Sequence, residues 1–147
     1  MKLHMGSDHA AFEEKETLKN FLKDLGHEII DHGPENAERC DYPDYAAKVA
    51  KAVAKDDSSM GILLCGSGIG VSMAANRYQN IRAALVRSEE DALLSRGHNN
   101  ANILCVGARL TSIEDIKVIT KKWLETPFEE GRHTGRVAKF NDLGEKV

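Results

Sequence analysis

Strand-like segments alternate with helical patterns along most of the chain, and this alternation limits the possible folds more than any other feature of the sequence. The predicted strands are Lys2–Ser7, His27–Asp31, Met60–Cys65, Ile81–Val86 and Asn102–Gly107. The predicted helices include Leu18–Leu25, Ala46–Val53, Ile69–Asn76, Glu89–Arg96 and Ile113–Trp123. Such alternation produces βαβ units with parallel strands, and right-handed crossovers cover both faces of the sheet. The sequence therefore predicts an α/β fold: a doubly wound, Rossmann-like domain with a five-stranded parallel sheet.

The chain length fits a single domain over residues 1–147, since domains usually hold about 100–200 residues. After Pro127 the sequence becomes polar and locally basic, and we expect a helical tail over about residues 128–147. Val137 and Phe140 give this tail an apolar side. An apolar helix face is usually buried, so we expect this side of the tail to pack against a partner subunit.

Composition argues against several classes of protein. Aromatic residues make up 5% of the chain and the net charge is -3, so we expect no nucleic-acid partner. No apolar run reaches the roughly 18–20 residues of a membrane span, and the start at Met1–Gly6 is interrupted too soon for a signal peptide. The 3 cysteines have neither disulfide-framework nor metal-site spacing. These features predict a cytoplasmic protein with no membrane partner.

A glycine loop follows the third predicted strand, at the sheet edge where doubly wound proteins bind ligands. Gly66, Gly68 and Gly70 precede a short helix, and this arrangement brings backbone N–H groups close to an anion. A tight turn that binds nothing is the alternative. A dinucleotide-binding fingerprint is incomplete here, because its third glycine would fall at Val71. Two acidic residues about 20 positions further on still favour that alternative, since a ribose contact belongs there. A P-loop is excluded because no Lys follows the last glycine.

Cys65 opens the glycine loop. A thiol beside free backbone amides can lose its proton and act as a base, whereas an isolated cysteine is usually a small buried apolar residue. Its place at the mouth of the loop favours a functional role. Cys40 and Cys105 are interpreted as structural.

Several other polar residues have both a local and a functional interpretation. Asp8 and His9 follow the first strand, where Asp8 is either a helix cap or a substrate contact. His98 lies in an Asn-rich turn before the fifth strand and is either a turn residue or a proton-transfer group. Arg132 and Arg136 share one face of the tail, which either is solvated or binds a phosphate.

Five motifs taken together resemble one family, the type B ribose-5-phosphate isomerases within the wider ribose/galactose-6-phosphate isomerases. The resemblance runs from Leu3 to about Val137. The motifs that carry it are Gly6–His9, Asp41–Pro43, Cys65–Gly70, Ser95–Asn99 and Gly131–Val137.

This resemblance implies an aldose–ketose isomerase, free of metal and cofactor, that interconverts ribose 5-phosphate and ribulose 5-phosphate through an enediolate in the non-oxidative pentose phosphate pathway. Cys65 matches the family's catalytic base and His98 matches the acid that helps open the sugar ring. The family's substrate contacts correspond to Asp8, His9, Tyr42 and Asn99. Its anion hole corresponds to Gly66, Ser67, Gly68, Ile69 and Gly70. Its phosphate-binding positions correspond to Arg109, Arg132 and Arg136.

Two departures from the family pattern bear on these roles. Ser67 stands where many members have Thr, which bears on fine substrate preference because both hydroxyls donate hydrogen bonds. Some members use a Glu as the base a few residues after the cysteine, but Val71 stands near that position, so Cys65 should act as the base.

The strand order predicts where the two halves of this site lie. Cys65 ends the third strand and His98 precedes the fifth, so a parallel sheet places them at opposite edges. A strand of five or six residues spans about 17–20 Å, which is too far for one small sugar. We therefore expect a homodimer, or dimers paired into a tetramer, in which a neighbouring subunit supplies His98 and the Arg132/Arg136 face.

Three other functions remain open at this stage. One is isomerisation of a six-carbon sugar phosphate, such as allose or galactose 6-phosphate. Another is a non-catalytic module that binds a sugar phosphate or nucleotide and does not need Cys65 or His98. The last is an NAD-dependent oxidoreductase, which a nicotinamide absorbance assay would reveal.

Overall fold

A computed structural model describes residues 1–147 and confirms the predicted α/β architecture. The strands are β1 (Lys2–Ser7), β2 (Glu28–Asp31), β3 (Ser59–Cys65), β4 (Ala83–Leu85) and β5 (Ile103–Gly107). The helices are α1 (Phe12–Asp24), α2 (Tyr42–Ala54), α3 (Ile69–Ala75), α4 (Glu89–Gly97), α5 (Ile113–Glu125) and α6 (Thr134–Ala138). All strands are parallel, in the order β2-β1-β3-β5-β4.

Helices cover both faces of the sheet, as a doubly wound fold requires. On one face α1, α4 and α5 pack against strand residues such as Leu64, and on the other α2 and α3 pack against Leu63 and Cys65. Because successive strand residues point to opposite faces, a strand buried on both sides has few polar residues, and β3 has none from Met60 to Cys65. This explains the continuous apolar run that predicted it.

The observed bounds of α2 and β4 differ from the prediction. Tyr42–Asp44 is the first turn of α2 rather than a separate turn, and Pro43 suits that position because its missing N–H needs no partner there. Strand β4 covers only Ala83–Leu85 of the predicted Ile81–Val86; Asn102 Oδ1 accepts from the Arg82 N–H just before it, and Asn76 Oδ1 accepts from the Ala83 N–H within it.

The tail is shorter in regular helix than expected. It consists of a 3₁₀ turn at Gly131–His133, the helix α6 and a second 3₁₀ turn at Lys139–Asp142. Its end returns to its own subunit, where Glu145 exchanges backbone hydrogen bonds of 2.7 Å with Arg77 and Gln79. Phe140 and Leu143 stay largely exposed and line a cavity of about 350 Å³ beside β4.

Candidate active site

The strand order places a crevice between β1 and β3, because the chain winds outward to β2 from β1 and then returns to the other side of β1 to form β3. Ligands of doubly wound proteins bind at such a reversal, at the carboxyl ends of the strands. The loops that meet there begin at Asp8 after β1 and at Gly66 after β3. The fold therefore brings two of the predicted motifs together.

Cys65 is the last residue of β3 and is 4% exposed. Its Sγ accepts a hydrogen bond from the Gly68 backbone N–H at 3.1 Å. Ser67 Oγ accepts from the Ile69 N–H at 3.2 Å, which closes the loop as α3 begins. The thiol thus lies under the glycine loop with the Gly68 amide aimed at its sulfur.

Close approach explains why the loop needs glycine at Gly68 and Gly70. Gly68 has φ +77°, and a Cβ there would lie 2.7 Å from Leu85 Cδ1. A Cβ on Gly70 would lie 2.6 Å from the Tyr42 ring. The Tyr42 ring therefore packs directly on the loop, which places this predicted substrate contact beside it.

The loop after β5 lies against the glycine loop from the other side. A Cβ on Gly107 would lie 2.5 Å from the Ser67 backbone, so only glycine allows this contact. The Arg109 N–H donates to the Gly66 carbonyl at 3.0 Å, and the Arg109 side chain lies over Gly66. Arg109 is thereby held at the edge of the loop.

Asp8 and His9 are fixed on the neighbouring strand. Asp8 Oδ1 accepts from the Ala10 N–H at 2.9 Å, which confirms the capping role, and its own N–H donates to the Leu64 carbonyl. The Nδ1 atom of His9 lies 3.1 Å from the Cys40 carbonyl oxygen. We call the set that meets at this end of the sheet the loop half: Asp8, His9, Tyr42, Cys65, Gly66, Ser67, Gly68, Ile69, Gly70 and Arg109.

His98 belongs to a second cluster, at the carboxyl end of α4. Its Nε2 lies 3.4 Å from Glu129 Oε2, and its ring stacks on that of His133 with centroids 4.3 Å apart and planes 14° from parallel. A backbone bond of 2.9 Å from the Glu129 N–H to the Gly97 carbonyl ties the tail to this helix end. Arg132 Nε lies 3.3 Å from His133 Nε2. The tail thus surrounds His98 with ionisable groups.

Buried arginines hold the turn that follows His98. Arg96 Nη1 donates to Asn100 Oδ1 at 2.9 Å and to the Ala101 carbonyl at 2.6 Å, while the guanidinium lies over the Trp123 ring. Asn100 adopts φ 48°, a left-handed conformation that Asn tolerates. Asn99, one residue earlier, lines the cavity beside β4. We call His98, Asn99, Glu129, Arg132, His133 and Arg136 the histidine half.

The two halves lie at opposite ends of the sheet within one chain, as the strand order predicted. Cys65 pairs with Gly107, whereas Gly61 pairs with Ile103 and hydrogen-bonds to Asn102. At about 3.3 Å per residue, the segment from Gly61 to Cys65 alone spans about 13 Å. The structure therefore does not bring the histidine half to Cys65 within a single subunit.

Burial shifts the pKa of one imidazole in the histidine half and of one thiol in the core. Burial, followed by the neighbouring His98 and Arg132, lowers the pKa of His133, so this imidazole is neutral near neutral pH. Burial also raises the pKa of the Cys105 thiol, with the nearby Cys65 adding to the effect. Cys105 therefore remains a protonated core residue, in agreement with its structural interpretation.

Sequence reasoning missed two contributors to the site. Glu129 is one charge among several in a polar tail, and only the packing of the tail on α4 brings it to His98. Gly107 was predicted only as the last residue of the fifth strand, although a glycine at that strand end was a signal for close approach to the glycine loop. His98, Glu129 and His133 are also the one group of side chains whose ligand atoms, all within 4.8 Å of one another, could hold a metal ion.

The chain is similar to known proteins in sequence and in fold. The sequence model of a family described as Ribose/Galactose Isomerase matches residues 3–140. Ribose-5-phosphate isomerase B of Escherichia coli is 43% identical over 145 residues, which is 99% of this chain and 97% of that protein. No helix of the structure combines the length and apolarity needed to cross a bilayer.

Solved structures of similar proteins have the same fold. A ribose 5-phosphate isomerase from Thermotoga maritima superposes with a TM-score of 0.93 at 48% identity, covering 97% of this chain and 98% of that one. Ribose-5-phosphate isomerase B from Mycoplasma genitalium, solved with bound ribulose 5-phosphate, gives a TM-score of 0.92 at 39% identity, covering 95% and 93%.

Proposed function

Because the chain belongs to the ribose/galactose isomerase family, we propose that it interconverts ribose 5-phosphate and ribulose 5-phosphate through an enediolate, with Cys65 as the base. The observation that carries this proposal is the thiol of Cys65 at the mouth of the crevice, with the Gly68 N–H aimed at its sulfur. A non-catalytic binding loop would have no use for a thiol at that point.

Cys65 removes the proton from carbon 2 of the open-chain aldose. The electron pair moves toward the carbonyl oxygen on carbon 1, and the resulting enediolate carries the negative charge. The same sulfur then returns the proton to carbon 1, while the hydroxyl proton on carbon 2 passes to the oxygen on carbon 1, so that carbon 2 becomes the ketone. One base on one face of the sugar is enough for both transfers.

The glycine loop stabilises the charge that develops during this transfer. The Gly68 and Ile69 N–H groups already bond to Cys65 Sγ and Ser67 Oγ, so the loop is folded before the sugar oxygen becomes negative and little reorganisation is needed. One such donor is worth about 3–4 kcal/mol of the barrier. This contribution explains how a thiol can remove a weakly acidic carbon-bound proton.

The histidine half handles the parts of the substrate that lie away from carbon 2. Most ribose 5-phosphate is a closed ring, and protonation of the ring oxygen by His98 opens it. Glu129 Oε2 lies 3.4 Å from His98 Nε2, the ring nitrogen that would deliver the proton. Arg109, Arg132 and Arg136 hold the phosphate, whose binding energy positions carbon 2 over the sulfur.

These roles require two subunits, since the halves lie at opposite ends of one sheet. We propose a homodimer in which the histidine half of one subunit faces the loop half of the other, with pairing of dimers into a tetramer as a further step. The exposed Phe140 and Leu143 give the tail an apolar surface for that contact. The unpaired thiols of Cys40, Cys65 and Cys105 suit a reducing cytoplasm.

Turnover of ribose 5-phosphate in excess EDTA tests the proposed reaction, with Cys65→Ala as the test variant and Cys40→Ser as the matched cysteine control. We expect metal-independent formation of ribulose 5-phosphate, a loss of at least about 10²-fold in kcat for Cys65→Ala and parental activity for Cys40→Ser.

Two other results would overturn the proposal. Turnover of allose or galactose 6-phosphate, without turnover of ribose 5-phosphate, would identify a six-carbon sugar phosphate as the substrate. Binding of a sugar phosphate without any turnover, in the parent as in Cys65→Ala, would identify a binding module instead.

A further inference from the structure

We propose that His98, Glu129 and His133 form an inhibitory site for a divalent transition-metal ion of the Zn²⁺ type. Glu129 Oε2 lies 3.4 Å from His98 Nε2 and 3.9 Å from His133 Nε2, and one ligand atom from each residue lies within 4.8 Å of the others. Two imidazoles and one carboxylate are a donor set that suits Zn²⁺, with a fourth position left open.

The observed distances are close to those of an occupied site. Zn–N and Zn–O bonds of about 2.0–2.2 Å at tetrahedral angles place ligand atoms about 3.3–3.5 Å apart. The contact between His98 and Glu129 already has that length. The 3.9 Å separation of Glu129 Oε2 from His133 Nε2 has to shorten by about half an ångström, and the His98 ring has to tilt away from its near-parallel stacking on His133 so that the lone pairs converge on the ion.

The cluster combines fixed backbone with movable side chains. The bond from the Glu129 N–H to the Gly97 carbonyl holds the tail against the end of α4. The side chains of His98 and Glu129 are 32% and 52% exposed, so both can adjust, whereas the His133 side chain is 9% exposed and provides a fixed point. An ion can enter from the solvent side through the two exposed ligands.

The surrounding charge sets the kind of ion and limits its affinity. Arg132 Nε lies against His133 Nε2 at 3.3 Å and has to swing away, and Arg136 adds a second positive charge nearby. Only an ion with strong affinity for imidazole can compete with these cations. The order of metal affinities therefore favours Zn²⁺ and Cu²⁺, while Mg²⁺ should not bind.

Occupancy would block the enzyme at ring opening, and this consequence rests on the proposed function. The ion takes the lone pair of His98 Nε2, so this nitrogen can no longer carry the proton delivered to the ring oxygen. The loop half, including Cys65, is not touched. The ion is thus an inhibitor and not a cofactor.

Calorimetric titration of the purified full-length protein with Zn²⁺ tests the site directly. The variants are Glu129→Gln, which keeps the shape of the side chain, and Glu130→Gln, which makes the same charge change at the next residue. We expect one ion per subunit, about tenfold or more weaker binding in Glu129→Gln, and parental affinity in Glu130→Gln. Cys65→Ala should also retain parental affinity, which separates this site from binding at the thiol.

A spectroscopic and a kinetic measurement complete the test. Co²⁺ should give the visible bands of a four-coordinate ion without a thiolate charge-transfer band. These visible bands should weaken in His133→Asn. The Zn²⁺ concentration that gives half-maximal inhibition of isomerisation should equal the midpoint of the binding curve. EDTA should reverse the inhibition. Isomerase activity with no Zn²⁺ binding, or with binding unchanged in Glu129→Gln, overturns the site. Zn²⁺ binding in a protein without isomerase activity supports the site and overturns the proposed function instead.

Discussion

Gly68→Ala is the substitution that should damage the loop half most selectively. Gly68 has φ +77°, and an added Cβ would lie 2.7 Å from Leu85 Cδ1 and 2.9 Å from the Val106 carbonyl carbon. Placing a non-glycine residue in the left-handed region costs about 1–2 kcal/mol, and overpacking adds about 1–3 kcal/mol. We expect a loss of about 2–5 kcal/mol in the free energy of unfolding. A loss near 3 kcal/mol would lower Tm by about 6–12 °C in a chain of this size.

The same substitution should reduce activity, because the backbone shift moves the Gly68 N–H away from Cys65 Sγ, which it contacts at 3.1 Å. Loss of one such donor lowers kcat by about 10²–10³-fold. Thermal melts and steady-state isomerase kinetics measure the two effects separately.

Gly26→Ala is the matched control. Gly26 also has a positive φ, +88°, but an added Cβ would meet no atom within 4 Å, and it ends α1 away from the site. It should show only the conformational cost of about 1–2 kcal/mol and parental kcat. If Gly68→Ala were as stable as Gly26→Ala and kept its kcat, the account of the loop would be refuted.

Two further predictions concern single groups. Burial alone would raise the pKa of Asp31, but hydrogen bonds from Lys15, Lys19 and the Gly33 N–H outweigh it and lower the pKa from 3.8 to about 2. Because the carboxylate is partly exposed, solvent screening leaves about 1 kcal/mol of stabilisation, which is fully present above pH 3.8 and lost as the pH falls towards 2. Urea melts of the parent and Asp31→Asn should converge over this range, and a constant difference would contradict the assignment. Iodoacetamide should inactivate the Cys40→Ser protein by modifying Cys65, while the buried Cys105 does not react. Bound ribose 5-phosphate should protect Cys65 from this modification. Full activity of protein with modified Cys65 would exclude Cys65 as the base.

The sequence predicts the loop half well because its signals are local. The apolar run of β3, the glycines after it and Cys65 are contiguous, and the fold places them where the pattern indicates. The placement of His98 at the opposite end also follows from strand order alone. Parallel strands with helical crossovers leave few other topologies.

The sequence does not predict contacts that arise from side chains of distant segments. Glu129 reaches His98 only because a backbone bond to Gly97 ties the tail to α4. At β4, the side chains of Asn76 and Asn102 accept hydrogen bonds from the N–H groups of Ala83 and Arg82. Neither effect leaves a periodic pattern, since each depends on one side chain meeting one backbone group after the chain has folded.

Mixing inactive variants tests most directly whether two subunits share each active site. Cys65→Ala disables the loop half and His98→Ala the histidine half, so each mixed dimer of a symmetric pair should contain one intact site. After subunit exchange of an equal mixture, about a quarter of all sites should be active. A mixture of Cys65→Ala with Arg109→Ala, both in the loop half, should stay inactive. Recovery in the first mixture alone is the predicted result, and no recovery after confirmed exchange would contradict the shared site.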